Sequence, residues 1–241
     1  MALAAAAAFV GAFVQSTTGF GFALLLSPAA FAALEPVEAV VTLLVLGLAL
    51  NLLVLFEHGR PEHVDWHGLA PVLLWALPGL AIGAVALTRL SKDTLQVGVG
   101  LAVIAAAAWQ WRQRRRQAAT NSLPAALAGF TSGVLTTSIS VSGPPIVLWL
   151  EARGADPKEF RASLAASFLA LNLTGGVLLL ATEGGGSLSA GTVVPLLGLV
   201  VAGYALGALA FRRLDRERFY TVVLVLVTGT GVASVLAGIL D

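Results

Sequence analysis

A chain of 241 residues in which 58% are hydrophobic and 11% charged is not an ordinary soluble domain, where about a quarter of residues carry charge. The formal net charge of +1 gives no reason to expect nucleic acid, and the absence of cysteine removes disulfides, thiolate chemistry and cysteine-based metal sites. With a mean hydropathy of +0.90, the reading is an all-α integral membrane protein, because barrel strands would alternate in polarity and these segments do not.

The chain opens apolar. Residues 2–14 and 22–34 flank a polar stretch, Gln15-Ser16-Thr17-Thr18-Gly19-Phe20-Gly21. An arm of 13 residues at about 1.5 Å per residue is too short to cross roughly 30 Å of hydrocarbon, so a re-entrant or broken helix hairpin is expected. Met1 to Val14 lacks the positive start of a signal peptide and is read as part of the fold.

Apolar runs follow at 36–56, 68–88 and 94–111, each near the roughly 20 residues that cross a bilayer. The first begins Pro36-Val37-Glu38, a proline and a carboxylate where a helix start favours both. His58, His63 and His67 share the next loop with Glu57, Glu62 and Asp65. Nothing in their spacing fixes a ligand geometry, so this reads as a solvated loop, and no metal or cofactor is expected. Trp109 and Trp111 beside Arg112 suit an interfacial aromatic belt. A basic linker, 114–123, then separates a first repeat, 1–113, from a second, 124–241.

The second half restates the first. Residues 124–135 and 144–152 flank Thr136-Thr137-Ser138-Ile139-Ser140-Val141-Ser142-Gly143, and apolar runs follow at 162–182, 191–211 and 219–239. At an offset of 121, Pro36, Glu38, Leu48 and Asn51 fall on Pro157, Glu159, Leu169 and Asn172. At an offset of 124, Pro71, Gly79, Gly83 and Arg89 fall on Pro195, Gly203, Gly207 and Arg213, three residues having been inserted between Glu183 and Ala190. Many transporters are built as two such repeats around a site between them.

Charge decides how the halves face. With the linker cytoplasmic and the halves inverted, Arg60, Arg112, Arg114, Arg115, Arg116, Arg153, Lys158, Arg161, Arg212, Arg213, Arg216 and Arg218 lie inside, and only Arg89 and Lys92 outside. Parallel halves would divide the positives five against nine. The positive-inside rule favours two inverted repeats, each a re-entrant or broken hairpin plus three transmembrane helices.

The candidate substrate-binding residues are those of the two breaks, Gln15, Ser16, Thr17, Thr18, Gly19 and Gly21 with Thr136, Thr137, Ser138, Ser140, Ser142 and Gly143, together with Asn51 and Asn172. A helix that starts in mid-membrane aims unpaired N–H groups at whatever lies there, an arrangement suited to an anion. Pro144 and Pro145 have no N–H, which leaves the Ser142, Gly143 and Ile146 amides. The alternative for the hydroxyls is helix packing and back-bonding to carbonyls, and for the asparagines bracing of the breaks. Glu38 and Glu159 read as caps, and no ionisable residue falls well inside any of the six spans, so no proton relay is apparent. Nucleophile–base pairs, phosphate loops and metalloprotease motifs are missing, and an enzyme is not expected.

The tandem pattern of a Gly-rich break, proline, and a Pro-x-Glu loop leading into an apolar helix resembles the sulfite exporter TauE/SafE family. It is carried by Gly19-Phe20-Gly21 through Ser27-Pro28 and Pro36-Val37-Glu38-Ala39, and by Gly129-Phe130-Thr131-Ser132-Gly133 through Gly143-Pro144-Pro145 and Pro157-Lys158-Glu159. The resemblance implies a multi-pass permease of the bacterial inner membrane that moves sulfite, an organosulfonate or thiosulfate. Its partners would be the lipid bilayer and a small anionic substrate, with a homodimer left open. Rival readings are a cation-coupled carrier that uses the asparagines and break carbonyls as ligands, and a membrane scaffold that transports nothing. Export of an anion from a negative-inside cell gains roughly 2.3 kcal/mol per charge per 100 mV and needs no second ion.

Overall fold

The computed structural model describes residues 1–57, 63–113, 123–183, 189–210 and 216–240. Among these the chain is helical throughout: α1 (Ala2–Thr18), α2 (Phe22–Ala33), α3 (Pro36–Leu55), α4 (Trp66–Arg89), α5 (Lys92–Gln113), α6 (Ala125–Ile139), α7 (Gly143–Ala152), α8 (Pro157–Glu183), α9 (Ala190–Ala210) and α10 (Arg216–Leu240). His58, Arg60, Glu62, Arg114, Arg115, Arg116, Arg212 and Arg213 lie outside the described residues.

Four helical segments are long and apolar enough to cross a membrane, Pro36–Leu55, Trp66–Arg89, Lys158–Thr182 and Ala190–Leu209. The expected spans at 94–111 and 219–239 fall in α5 and α10, which are not among those four. α2 and α7, at 12 and 10 residues, reach only about 18 and 15 Å. The breaks are narrower than the polar stretches suggest. Gln15 to Thr18 and Thr136 to Ile139 complete the last turns of α1 and α6, and the backbone departs from helix only at Gly19 to Gly21 and Ser140 to Ser142. Gly19 ends α1 at φ +86°, a left-handed conformation that glycine adopts without a Cβ clash, and its equivalent Ser140 ends α6 in the same region at φ +59°.

Small residues decide which helices meet. A Cβ on Gly129 or Gly133 of α6 would collide with the Val72 or Ala76 carbonyl of α4, and one on Gly79 or Gly83 with the Phe130 or Val134 carbonyl of α6. The same contact recurs between α9 and α1, where Gly203 and Gly207 sit against Phe9, Phe13 and Ser16. In both pairs the contacts advance together along the two helices, so the helices run parallel at backbone-to-backbone distance, the membrane small-xxx-small arrangement. α3 and α8 run antiparallel: Glu57 beyond the end of α3 meets Arg161 near the start of α8, and Gly47 at mid-helix meets Asn172. α5 and α10 are antiparallel as well, with Gly238 against Asp93 and Val97 and Gly231 against Gly100 and Val103.

Polar contacts join the loops. Arg161–Glu57 at 2.7 Å and Arg153–Asp65 at 2.9 Å tie the start of α8 and the end of α7 to the α3–α4 connection. Lys92–Glu35 at 3.6 Å ties the start of α5 to that of α3. Helix starts are capped more locally than the paired glutamates suggest. Asp156 Oδ1 accepts from the Lys158 and Glu159 amides at α8, and Asp65 Oδ1 accepts from Gly68 at α4. The amides of Glu159 and Lys158 hold the Asp156 carboxyl below its ordinary value. Its counterpart Glu35 makes no such bond at α3 and turns to Lys92 instead.

Candidate functional site at the helix breaks

The two breaks converge. A cavity of about 40 Å³ lies between the start of α2 and the start of α7, closed by α3 and α8. Seven expected site residues line it: Gln15, Gly21, Asn51, Ser140, Ser142, Gly143 and Asn172. The rest of the wall is apolar or glycine, with Phe20, Phe22 and Phe168 contributing rings and Leu24, Leu43, Val141, Ala23 and Gly47 filling between them. Among the described residues, no ionisable side chain lines it.

The other seven candidates sit elsewhere, in the last turns of α1 and α6 or at the cap. Ser16, Thr17 and Thr18 donate to the Phe13 and Val14 carbonyls, Thr136 to Ser132 and Ser138 to Val134. Thr137 bridges to the Leu80 carbonyl of α4 at 2.7 Å, and Gly19 packs on Arg161. Each of these hydroxyls returns its proton to a carbonyl, the packing alternative for Ser and Thr in membrane helices.

Within the cavity wall, donors and acceptors are both only partly satisfied. Of the carbonyls near the breaks, Ile139 accepts from Ser27 at 2.8 Å, Ser142 from Ser132 at 3.0 Å and Ser16 from Arg161 at 2.8 Å, whereas those of Gly19, Ser140 and Val141 have no partner among the described residues. Several amides are free as well. At the start of α2 the Phe22 amide goes to Gln15 Oε1 at 3.3 Å, while the Gly21 and Ala23 amides have no partner among the described residues. At the start of α7 the Ser142 and Gly143 amides are likewise unbonded, and Pro144 and Pro145 have none to offer. Ile146, fourth in α7, makes no bond to the Ser142 carbonyl, the usual acceptor for an amide at that position, among the described residues. Two positive helix ends and a few neutral donors therefore face one small space.

The asparagines differ. Gln15 Nε2 donates to Asn51 Oδ1 at 2.9 Å, and Asn51 Nδ2 donates to the Gly47 carbonyl at 2.7 Å, so Asn51 braces the first break. Asn172 donates no bond among the described residues and lies over Gly47, where a Cβ would come within 2.6 Å of its Nδ2. Two wall features escaped sequence reading. Gly47, one turn before Asn51, makes room for the Asn172 amide, and Phe168 is its repeat counterpart at the offset of 121.

A polytopic helical bundle holding a small polar cavity between interrupted helices has the architecture of a membrane transporter. The sulfite exporter TauE/SafE model matches residues 3–234, and the chain belongs to that family of multi-pass membrane exporters. It is similar to the probable sulfite/organosulfonate exporter TauE of Cupriavidus necator, at 26% identity over 174 residues that cover 66% of this chain. The matched region spans 63% of that relative's length. No solved structure matches the chain.

Proposed function

We propose that this protein exports a small sulfur oxyanion across the bacterial inner membrane, the anion resting between the two helix breaks. The observation that carries the reading is the meeting of two helix N-termini at the cavity, where the amides of Gly21, Ala23, Ser142 and Gly143 and the side-chain amide of Asn172 have no partner among the described residues. Positive helix ends and neutral N–H donors together solvate an anion. At one water per 10–15 Å³ of such volume, about 40 Å³ takes about three waters, comparable to the four heavy atoms of sulfite. No fixed cation holds the anion, so release toward the outside is not opposed by an ion pair.

Inversion of the two halves, 1–113 and 124–241, is supported by the helix directions. Repeat-related α3 and α8 are antiparallel, as are α5 and α10, whereas parallel repeats related about the membrane normal would keep equivalent helices parallel. The Arg161–Glu57 and Arg153–Asp65 pairs fit the same arrangement, since only inverted halves put those loops on one face. Cysteines introduced at Ser91 and Asp215 and labelled with an impermeant maleimide test it; labelling from one side would rule inversion out.

The function is tested with purified protein on a solid-supported membrane, by concentration jumps of sulfite, thiosulfate, a C2 sulfonate, sulfate and chloride with and without sodium or proton gradients. A saturable sulfite or thiosulfate current that needs neither gradient, reduced by Ser142→Ala and Asn172→Ala, is the expected result. Silence toward every anion from folded protein would sink the proposal.

A further inference from the structure

We propose that Arg161 is a second anion-binding position, a receiving site at the cytoplasmic mouth of the pathway, kept occupied by Glu57 until substrate arrives. This rests on the reading that an anion occupies the cavity between the breaks.

Arg161 lies in the second turn of α8, and its Nη2 donates to the Ser16 carbonyl at 2.8 Å and to Glu57 Oε2 at 2.7 Å. Its stem lies along the first break, where a Cβ built on Gly19 would be 3.3 Å from Arg161 Cγ. The next residue, Phe20, is already cavity wall. The guanidinium thus stands beside the pathway, at the negative C-terminal end of α1.

Its bonding is incomplete. Both recorded acceptors engage Nη2, and the buried Nε has no partner among the described residues. A guanidinium presents five N–H groups in a planar fork, and departure of Glu57 frees the edge formed by Nε and Nη2 to meet two oxygens of a small oxyanion. Glu57 is a replaceable occupant. The two side chains are 28% and 27% exposed, so the pair is wetted and weakly held. An incoming oxyanion takes the place of one carboxylate with another negative group, and the guanidinium never passes through an unpaired state.

The repeat makes the asymmetry visible. The position equivalent to Arg161 is Val40, where Ser140 Oγ donates to the backbone carbonyl at 3.4 Å. One break is therefore flanked by a cation and the other by a neutral contact. In the inverted topology Arg161 and Glu57 face the cytoplasm, so an anion is collected where export must begin and then enters a cage without a charge to retain it.

The test measures sulfite current against concentration for the wild type, Glu57→Gln and Arg161→Gln, with sulfite-dependent thermal unfolding alongside. Glu57→Gln keeps the Arg161 to Ser16 bond and removes only the competitor, so it should lower the half-saturating concentration about 3-fold. Arg161→Gln should raise it about 10-fold or more, with transport persisting at high concentration. Shifts in the same direction, or none, would show a structural strut and overturn the site. If the wild type is electrically silent, the functional reading fails first. Sulfite stabilisation larger in Glu57→Gln than in Arg161→Gln would then still support the site, and equal stabilisation would reject it.

Discussion

Asn51 and Asn172 stand 121 residues apart at equivalent points of the repeat, yet Asn51 is bonded to Gln15 at 2.9 Å while Asn172 donates to nothing among the described residues. The cause is the residue opposite. Gln15 is long enough to reach from α1 to α3, whereas its counterpart Thr136 spends its hydroxyl on Ser132 within α6. One asparagine is thereby a brace, and the other keeps its side-chain amide unspent.

Asn172→Ala should raise the half-saturating sulfite concentration about 10-fold with little change in thermal stability, since a hydrogen bond to a charged ligand is lost and no internal bond is broken. Asn51→Ala should lower stability by about 1–3 kcal/mol, because it leaves Gln15 Nε2 buried without an acceptor. Current titrations and thermal unfolding of the two variants check the exchange of phenotypes.

Gly47→Ala puts a methyl 2.6 Å from Asn172 Nδ2 and should push that amide aside. The expected outcome is weaker anion binding in a folded protein. Combined with Asn172→Ala, the loss should be no greater than that of Asn172→Ala alone, as coupling between touching residues requires. Additive losses in the double-mutant cycle would separate Gly47 from the site.

Ser140 holds a left-handed conformation at φ +59° that costs a residue with a Cβ about 1–2 kcal/mol. Its long bond to Val40 at 3.4 Å recovers little of this. Ser140→Gly should therefore stabilise the protein by about 1 kcal/mol, and Ser140→Val should destabilise it by more. Unfolding midpoints of the three proteins in one detergent are the measurement.

Gly207 meets Ser16 and Phe13 across α1 and α9 as Gly83 meets Thr137 and Val134 across α4 and α6. Leucine at either position cannot be accommodated between touching backbones, and each substitution should cost at least about 1–3 kcal/mol. Fluorescence-detected size exclusion should show loss of the monodisperse peak for both. A normal profile for Gly207→Leu would mean that α1 and α9 do not pack as described.

The Asp156 carboxylate accepts two amides at the start of α8, which lowers its folded-state pKa below the ordinary 3.8. A group whose pKa falls on folding stabilises above its unfolded value and loses that contribution as pH drops through the folded value. Asp156→Ala should thus be less stable than wild type at neutral pH, with the difference shrinking as pH falls below 3.8. A gap independent of pH would assign the effect to something other than the cap.

Composition and periodicity alone determined that this is a helical membrane protein. The 121-residue offset placed both breaks, because burying a helix in lipid depends on the local run of apolar residues and on where glycine or proline interrupts it. Aligned prolines and glycines also marked α4 and α9 as counterparts before their packing was known. Which polar residues face the cavity was decided only in three dimensions. A threonine hydroxyl reads the same in sequence whether it bonds its own helix, as Thr136 does, or a neighbour, as Thr137 does with Leu80. The placement of Arg161 was hidden for the same reason: in the sequence it is one more positive charge near a helix start, and only the approach of α8 to the first break brings it to Gly19 and Glu57. Local hydrophobicity selects the helices, whereas contacts between residues more than a hundred positions apart select the site.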